Sequence, residues 1–291
     1  MTYGGIYRDG KEKLEEAGVP EAVLDARLLL EYVCGTDRNY LLVHADAPVT
    51  EGQRGRYEAL IGLRSQRIPL QQLTGMQYFM GLEFLVDEHV LIPRQDTEVL
   101  VEEALKNLHD GMRVLDLCTG SGCILISLLR YTNGCQGVGV DVSLEALAIA
   151  EKNALKLLGQ ECCPDGDNRT ALPRFLESDL FEKVEGTYDM IVSNPPYIPT
   201  SVVETLMPEV RDHEPRLALD GSEDGLTFYR RITEECGRYL ARGGMLLFEI
   251  GYDQGEAVAG LMEQAGFLDI QVIKDYAGMD RVVSGTLGFG I

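Results

Sequence analysis

The hydrophobic rhythm of the chain changes twice. In "EAVLDARLLLEYVC", residues 21–34, apolar side chains recur at helical spacing directly after Pro20, which predicts a helix. Thr50 followed by Gln53 makes a capping-box pattern ahead of "RYEALIGLRSQR" and predicts another. No strand pattern interrupts this part, so residues 1–72 are expected to form a small helical bundle. "MQYFMGLEFLVD", residues 76–87, carries two short runs of β-formers around Gly81 and predicts a hairpin. Residues 73–95, which contain it, are expected to link two domains. Pro93 then turns the chain into a helix capped by Asp96 or Thr97.

Residues 96–291 are expected to form the second domain, and from about residue 112 onward strands and helices alternate. "RVLDLC", "GVGVDV", "PRFLES", "YDMIVSN", "GMLLFEI", "LDIQVIKD" and "DRVVSGTL" are mostly continuous apolar runs bounded by turns, as strands buried on both faces of a parallel sheet require. "CILISLLRY", "LEALAIAEKNALKLL", "GLTFYRRITEECGRYL" and "QGEAVAGLMEQA" are the intervening helices. This alternation implies an α/β layered fold with ligands at the carboxyl ends of the strands. Only "YAGM" separates the last two strands, too little for a helical crossover, so they must be antiparallel. "GQECCPDGDNRTAL", residues 159–172, reads as a mobile loop.

Composition narrows the function. A net charge of −21 counts against a nucleic-acid partner, since binding a phosphate backbone relies on a basic face. Seven scattered cysteines with no signal-peptide pattern point to reduced thiols, and neither they nor the four histidines make a metal-binding spacing. No apolar segment approaches membrane-spanning length. A soluble cytoplasmic protein without a metal is expected.

Candidate chemistry begins at "VLDLCTGSGCI", which closes the first strand of the α/β part and opens a helix. Gly120 and Gly122 allow a tight turn and close approach of a ligand to the backbone, although Leu125 stands where a dinucleotide fingerprint needs its third glycine. Asp141 ends the second strand, where a carboxylate can accept two ribose hydroxyls. Asp179, in "SDLF" after the third strand, can take the amino protons of an adenine ring. Singly, such glycines often serve only a turn and such aspartates only a helix cap. Together they outline an adenosine-shaped pocket.

The order D-x-x-x-G-x-G followed by two strand-end acids resembles the class I S-adenosylmethionine-dependent methyltransferases, whose Rossmann-like fold has a seven-stranded mixed sheet with the last strand antiparallel. The resemblance implies S-adenosyl-L-methionine as cofactor and S-adenosyl-L-homocysteine as product, held by Asp116, Cys118, Thr119, Gly120, Ser121, Gly122, Asp141, Asp179, Leu180 and Asn194. Cys118 replaces a glycine usual in that family, a substitution that is comfortable only with φ below zero.

"SNPPYIP", residues 193–199, lies directly after the fourth strand. Pro195 and Pro196 fix φ and remove two donors, and Asn194 before them is driven to an extended conformation. The Asn194 side-chain oxygen and the Pro195 carbonyl can present two acceptors to one planar NH₂ group, with Tyr197 against its face. Accepting both N–H bonds orients a poor amide nucleophile and stabilises the positive charge that develops on attack at a sulfonium methyl. The expected reaction is SN2 transfer to a planar nitrogen without a strong base. The blander alternative is a proline loop that only ends a strand.

NPPY-type motifs occur in methyltransferases acting on adenine in DNA, guanine in RNA and glutamine in protein. Residues 69–100, with "NPPYIP", "HEPRLALDGSEDGLTFYRRI", "FEIGYDQGEAV" and "KDYAGMDRVV", closely resemble the protein-(glutamine-N5) methyltransferases of peptide-chain release factors. That resemblance implies release factors as partners and the glutamine of their Gly-Gly-Gln loop as substrate, with no direct nucleic-acid or membrane contact. It implies Asn194, Pro195, Pro196 and Tyr197 as the catalytic corner, and Phe79, Pro93 and Arg94 as walls of the glutamine slot. Plain hairpin packing for Phe79 and a surface ion pair for Arg94 remain alternatives. So does a solvated pair for Glu214 and Arg216 in place of a buttress behind the NPPY loop.

Overall fold

The computed structural model describes residues 1–159 and 171–288, so most of the loop expected over 159–172 lies outside the described residues. The chain divides into two compact units, Met1–Met76 with Met207–His213, and Gln77–Leu206 with Glu214–Ile291.

The smaller unit is helical: α1 Tyr3–Glu16, α2 Ala22–Cys34, α3 Arg38–Val43, α4 Glu51–Arg64 and α5 Leu70–Thr74. The capping box forms, with Gln53 N–H donating to Thr50 Oγ1 at 3.2 Å and Thr50 N–H to Gln53 Oε1 at 3.0 Å. Ile6, Leu14, Leu29, Leu30, Tyr57 and Ile61 are its core. The unit recruits a late segment that local sequence patterns do not flag. Arg64 donates to Asp25 at 2.8 Å and to Glu209 at 2.9 Å, and Arg67 to the other Glu209 oxygen at 2.6 Å.

That cluster gives a testable acid limit. Burial raises the Glu209 carboxyl, but the Arg67 and Arg64 guanidiniums outweigh it and hold the group down at about 2 against an ordinary 4.5. A depressed carboxyl contributes stability that is complete above its unfolded value and drains away as pH falls through the folded one. Amide exchange across α4 should therefore accelerate between about pH 4.5 and 2, and Glu209→Gln should remove that step. Asp25, raised by burial, contributes with the opposite sign and cannot produce an acid loss. Arg64→Ala, which strands the buried Asp25 carboxylate and leaves Glu209 to Arg67 alone, should cost about 3–5 kcal/mol in denaturant unfolding.

In the larger unit β1 (Met76–Phe79) and β2 (Leu82–Leu85) form the expected hairpin, turning at Met80 and Gly81 with φ of 50° and 72°. It is not a free linker. Phe79 and Phe84 are buried in the same core as Leu100, Leu125 and Leu128, and the Leu85 N–H donates to Asn153 Oδ1 at 2.7 Å. Two phenylalanines in ten residues need a core, and the one they join is that of the larger unit. Helix α6 spans Gln95–Asn107, beginning earlier than the proposed caps. Arg94 is the N-cap residue without a side-chain cap bond, Asp96 lies in the first turn, and Thr97 is buried. The Asp96 carboxylate instead meets Arg281 at 3.3 Å and complements the helix dipole.

The seven predicted strands all form: β3 Arg113–Leu117, β4 Gln136–Asp141, β5 Arg174–Glu177, β6 Tyr188–Ser193, β7 Leu240–Glu249, β8 Phe267–Lys274 and β9 Asp280–Leu287. Helices α7 Cys123–Arg130, α8 Leu144–Leu158, α9 Thr227–Glu235 and α10 Gly255–Gln264 lie among them. Sheet order is β5-β4-β3-β6-β7-β9-β8, with β9 antiparallel to both neighbours and the other pairings parallel. This is the seven-stranded class I methyltransferase architecture. The chain runs from β3 out to β5 and then returns to the other side of β3 as β6. Adjacent connections thus leave in opposite directions, which opens a crevice at the carboxyl ends of β3 and β6. Among the described residues no helix is long and apolar enough to cross a membrane.

Candidate active site

The crevice is a cavity of about 210 Å³. Cys118, Thr119, Gly120 and Ser121 line it from the loop after β3, Asp141 from the end of β4, Asp179 and Leu180 after β5, and Asn194 and Pro196 after β6. Pro93 and Arg94 close another wall.

The loop is shaped from beneath. Asp116 is fully buried and off the cavity wall, so it does not meet a ligand there; its carboxylate accepts the Thr119 hydroxyl at 2.6 Å. Burial pushes this carboxyl up to about 7 despite that bond. Gly120 N–H donates to Asp141 Oδ2 at 2.9 Å and Ser143 N–H to Oδ1 at 3.0 Å, so one carboxylate braces the loop and faces the cavity. Gly122 is also off the wall. With φ +78° and a would-be Cβ 2.9 Å from Ile126, it serves the close packing of α7. Cys118 has φ +58°, not below zero: it holds the left-handed turn glycine usually takes, as does Leu180 at +49°. Two non-glycine residues in that region at one cavity mark stored strain of about 1–3 kcal/mol each.

At the proline corner the Asn194 Nδ2 donates to Thr97 Oγ1 at 3.4 Å, and its oxygen is uncommitted among the described residues. Pro195 and Tyr197 do not line the cavity. Tyr197 directs its hydroxyl to Glu249 Oε1 at 3.4 Å, and its carbonyl accepts from Gln254 Nε2 at 3.0 Å. Phe79 is only 1 % exposed and packs edge-on to Phe84, so it belongs to the core and not to a slot. Arg94 is partly exposed at the cavity and pairs at 2.5 Å with Glu214, which is buried. Arg216 pairs with Glu204 at 2.6 Å on the surface, so Glu214 alone has a buttressing position. Asp179 meets Arg231 at 2.9 Å.

Several wall residues went unrecognised in the sequence. Thr97 reads there only as a cap, Phe228 only as part of the helix predicted over "GLTFYRRITEECGRYL", and Leu217 and Ala218 stand on a stretch without periodic signal. Asn153, fully buried, ties the Ser121 carbonyl at 3.0 Å to the hairpin, a role that only three-dimensional packing reveals.

The residues present fit a cationic nucleoside. Three carboxylate residues, Glu88, Asp141 and Asp179, line the cavity, and the buried Ser121 hydroxyl has no hydrogen-bond partner among the described residues. Buried polar groups are ordinarily satisfied, so an orphan on a cavity wall points to a polar ligand.

Residues 6–75 match the family model described as the PrmC N-terminal domain, and residues 95–209 the one described as the methyltransferase small domain. The chain is 43% identical over 276 residues to the release factor glutamine methyltransferase of Geobacter sulfurreducens, covering 94% of this chain and 93% of the relative. It is 40% identical over 288 residues to that of Caulobacter vibrioides, covering 98% and 96%. A methyltransferase crystal structure from Pyrococcus furiosus shares the fold, with TM-score 0.51 at 17% identity, covering 72% of this chain and 91% of that one. With such identity sustained over nearly the full length, this chain belongs to the release factor glutamine methyltransferase family.

Proposed function

We propose that the chain methylates the side-chain amide nitrogen of the glutamine in the Gly-Gly-Gln loop of peptide-chain release factors, using S-adenosyl-L-methionine. That cofactor, when bound, supplies a sulfonium-activated methyl group and leaves as S-adenosyl-L-homocysteine. Asp141 would hold the ribose hydroxyls, Asp179 the adenine amino group and Ser121 a further polar atom. The Asn194 oxygen at the cavity wall accepts one amide N–H bond, which aims the nitrogen and stabilises its growing positive charge; the Pro195 carbonyl, off that wall, would take the second N–H once the substrate is seated. The proton leaves after transfer, which agrees with a corner that offers acceptors and no strong base.

One observation carries the reading: Asn194 is tied back through its nitrogen to Thr97 at the cavity wall, so its oxygen is the atom left for a substrate N–H. We take residues 1–72 to present the protein substrate, and the cytoplasm, where release factors act, to be the setting. The test is incubation with labelled methyl donor and purified release factor, followed by peptide mapping in a mass spectrometer. One methyl group on the Gly-Gly-Gln glutamine is expected. Absence of label there, or equal label on bare RNA or DNA, would overturn the assignment.

A further inference from the structure

Ser193 pairs with Phe248 across β6 and β7, so Asn194, the first residue past β6, and Glu249, the last residue of β7 and still paired with Val282 of β9, come next on the two neighbouring strands. Glu249 is 2 % exposed, makes no ion pair among the described residues, and its Oε2 has no hydrogen-bond partner among them. A buried carboxylate costs several kcal/mol unless it is used, and the reaction outlined above leaves this one without a task.

We propose that Glu249 is a positioning residue for methyl transfer: as a carboxylate it accepts the Tyr197 hydroxyl and so locks the proline corner that aims Asn194. The inference rests on the reading under Proposed function. Tyr197 is anchored twice, by this contact at 3.4 Å and by Gln254 on its carbonyl at 3.0 Å. Losing the charged acceptor frees the ring while the backbone stays held, so the corner loosens without collapsing. The groups facing Glu249 are Asp96 and Thr97 on α6, Cys123 on α7, Tyr197, Tyr229 on α9 and Arg281 on β9. Arg281 is already paired with Asp96 at 3.3 Å and Asp275 at 3.1 Å. Burial pushes the Glu249 carboxyl up to about 7, with the Thr97 hydroxyl and Arg281 pulling the other way. Near neutrality the acceptor is therefore present in only part of the molecules, and it is completed as pH rises.

The test uses the full chain. Wild-type kcat should climb through about pH 7 to a plateau. Glu249→Gln should be flat across that range and lie about tenfold below the plateau, the gap between a charge-assisted and a neutral hydrogen bond. KM for the methyl donor should move less than about twofold, since uniform binding is untouched. Tyr197→Phe should cost clearly less in the Glu249→Gln background than in the wild type, because only a neutral hydrogen bond is left to lose. A retained pH limb in Glu249→Gln, or additive losses, would overturn the proposal. The Tyr197 ring signals of tyrosine-labelled protein give a readout independent of any substrate: they should titrate near 7 in the wild type and not in Glu249→Gln. No titration overturns the role of Glu249 on its own. Titration intact with no methylglutamine formed would instead overturn the functional reading.

Discussion

Asn194→Ala is expected to lower kcat by about 10²–10³-fold, the loss found when a preorganised transition-state acceptor or donor is removed. Methyl-donor affinity should fall by less than about tenfold, because the donor keeps the walls formed by residues 118–121, Asp141 and Asp179. The asymmetry follows from geometry. Asn194 lies at the end of β6, whose Ser193 hydroxyl donates to the Leu117 carbonyl at 2.7 Å, so the start of the corner is fixed to the strand that feeds the donor loop. Alanine keeps the extended backbone that a following proline demands, so the fold should survive. Only the acceptor disappears. Single-turnover rates with release factor, set beside calorimetric binding of the donor, separate the two effects. Turnover within threefold of wild type would remove Asn194 from the mechanism.

The sequence carried the scaffold well, because the scaffold is governed by local and periodic signals. Val114, Leu115, Ile191 and Val192 read as strands because central parallel strands are apolar on both faces, and they are fully or almost fully buried. Asp141, Asp179 and the corner were legible because strand ends are fixed once strands are found. What stayed hidden depends on contacts distant in sequence. Asp116 has the same type and spacing as a ligand-facing acid, yet it points beneath the loop to Thr119; only burial distinguishes the two. Phe79 and Arg94 had balanced alternatives, and the core decided the first while Glu214, 120 positions away, decided the second. Cys118 shows the limit in another form. Nothing in a one-dimensional string reports φ, and a thiol stands in a turn that favours glycine.

Gly225→Ala is the second large effect and tests whether the corner is held from behind. Gly225 has φ +72°, and a Cβ there would stand 2.2 Å from the Tyr197 carbonyl oxygen and 2.7 Å from Gln254 Nε2. Alanine must therefore push apart the hydrogen bond that Gln254 makes to Tyr197, in a backbone region already unfavourable by about 1–2 kcal/mol for an L side chain. Gly221 limits escape on the adjacent side, since its own Cβ would meet Tyr197 Cα at 2.8 Å and the Pro196 carbonyl at 2.9 Å. Strain and overpacking together should cost about 2–4 kcal/mol of stability. A shift of about 1 Å at Tyr197 should cost roughly 10²-fold in kcat, assayed at a temperature where the variant is folded. Gly260→Ala is the control: nothing lies within 4 Å of its Cβ position in α10, so helix propensity should leave stability equal or slightly improved. Denaturant melts paired with kcat for both variants decide the matter. A Gly225→Ala enzyme with wild-type kcat would mean that the corner is rigid through its prolines alone, and that the glycine, Gln254 and Tyr197 contacts behind it serve only folding.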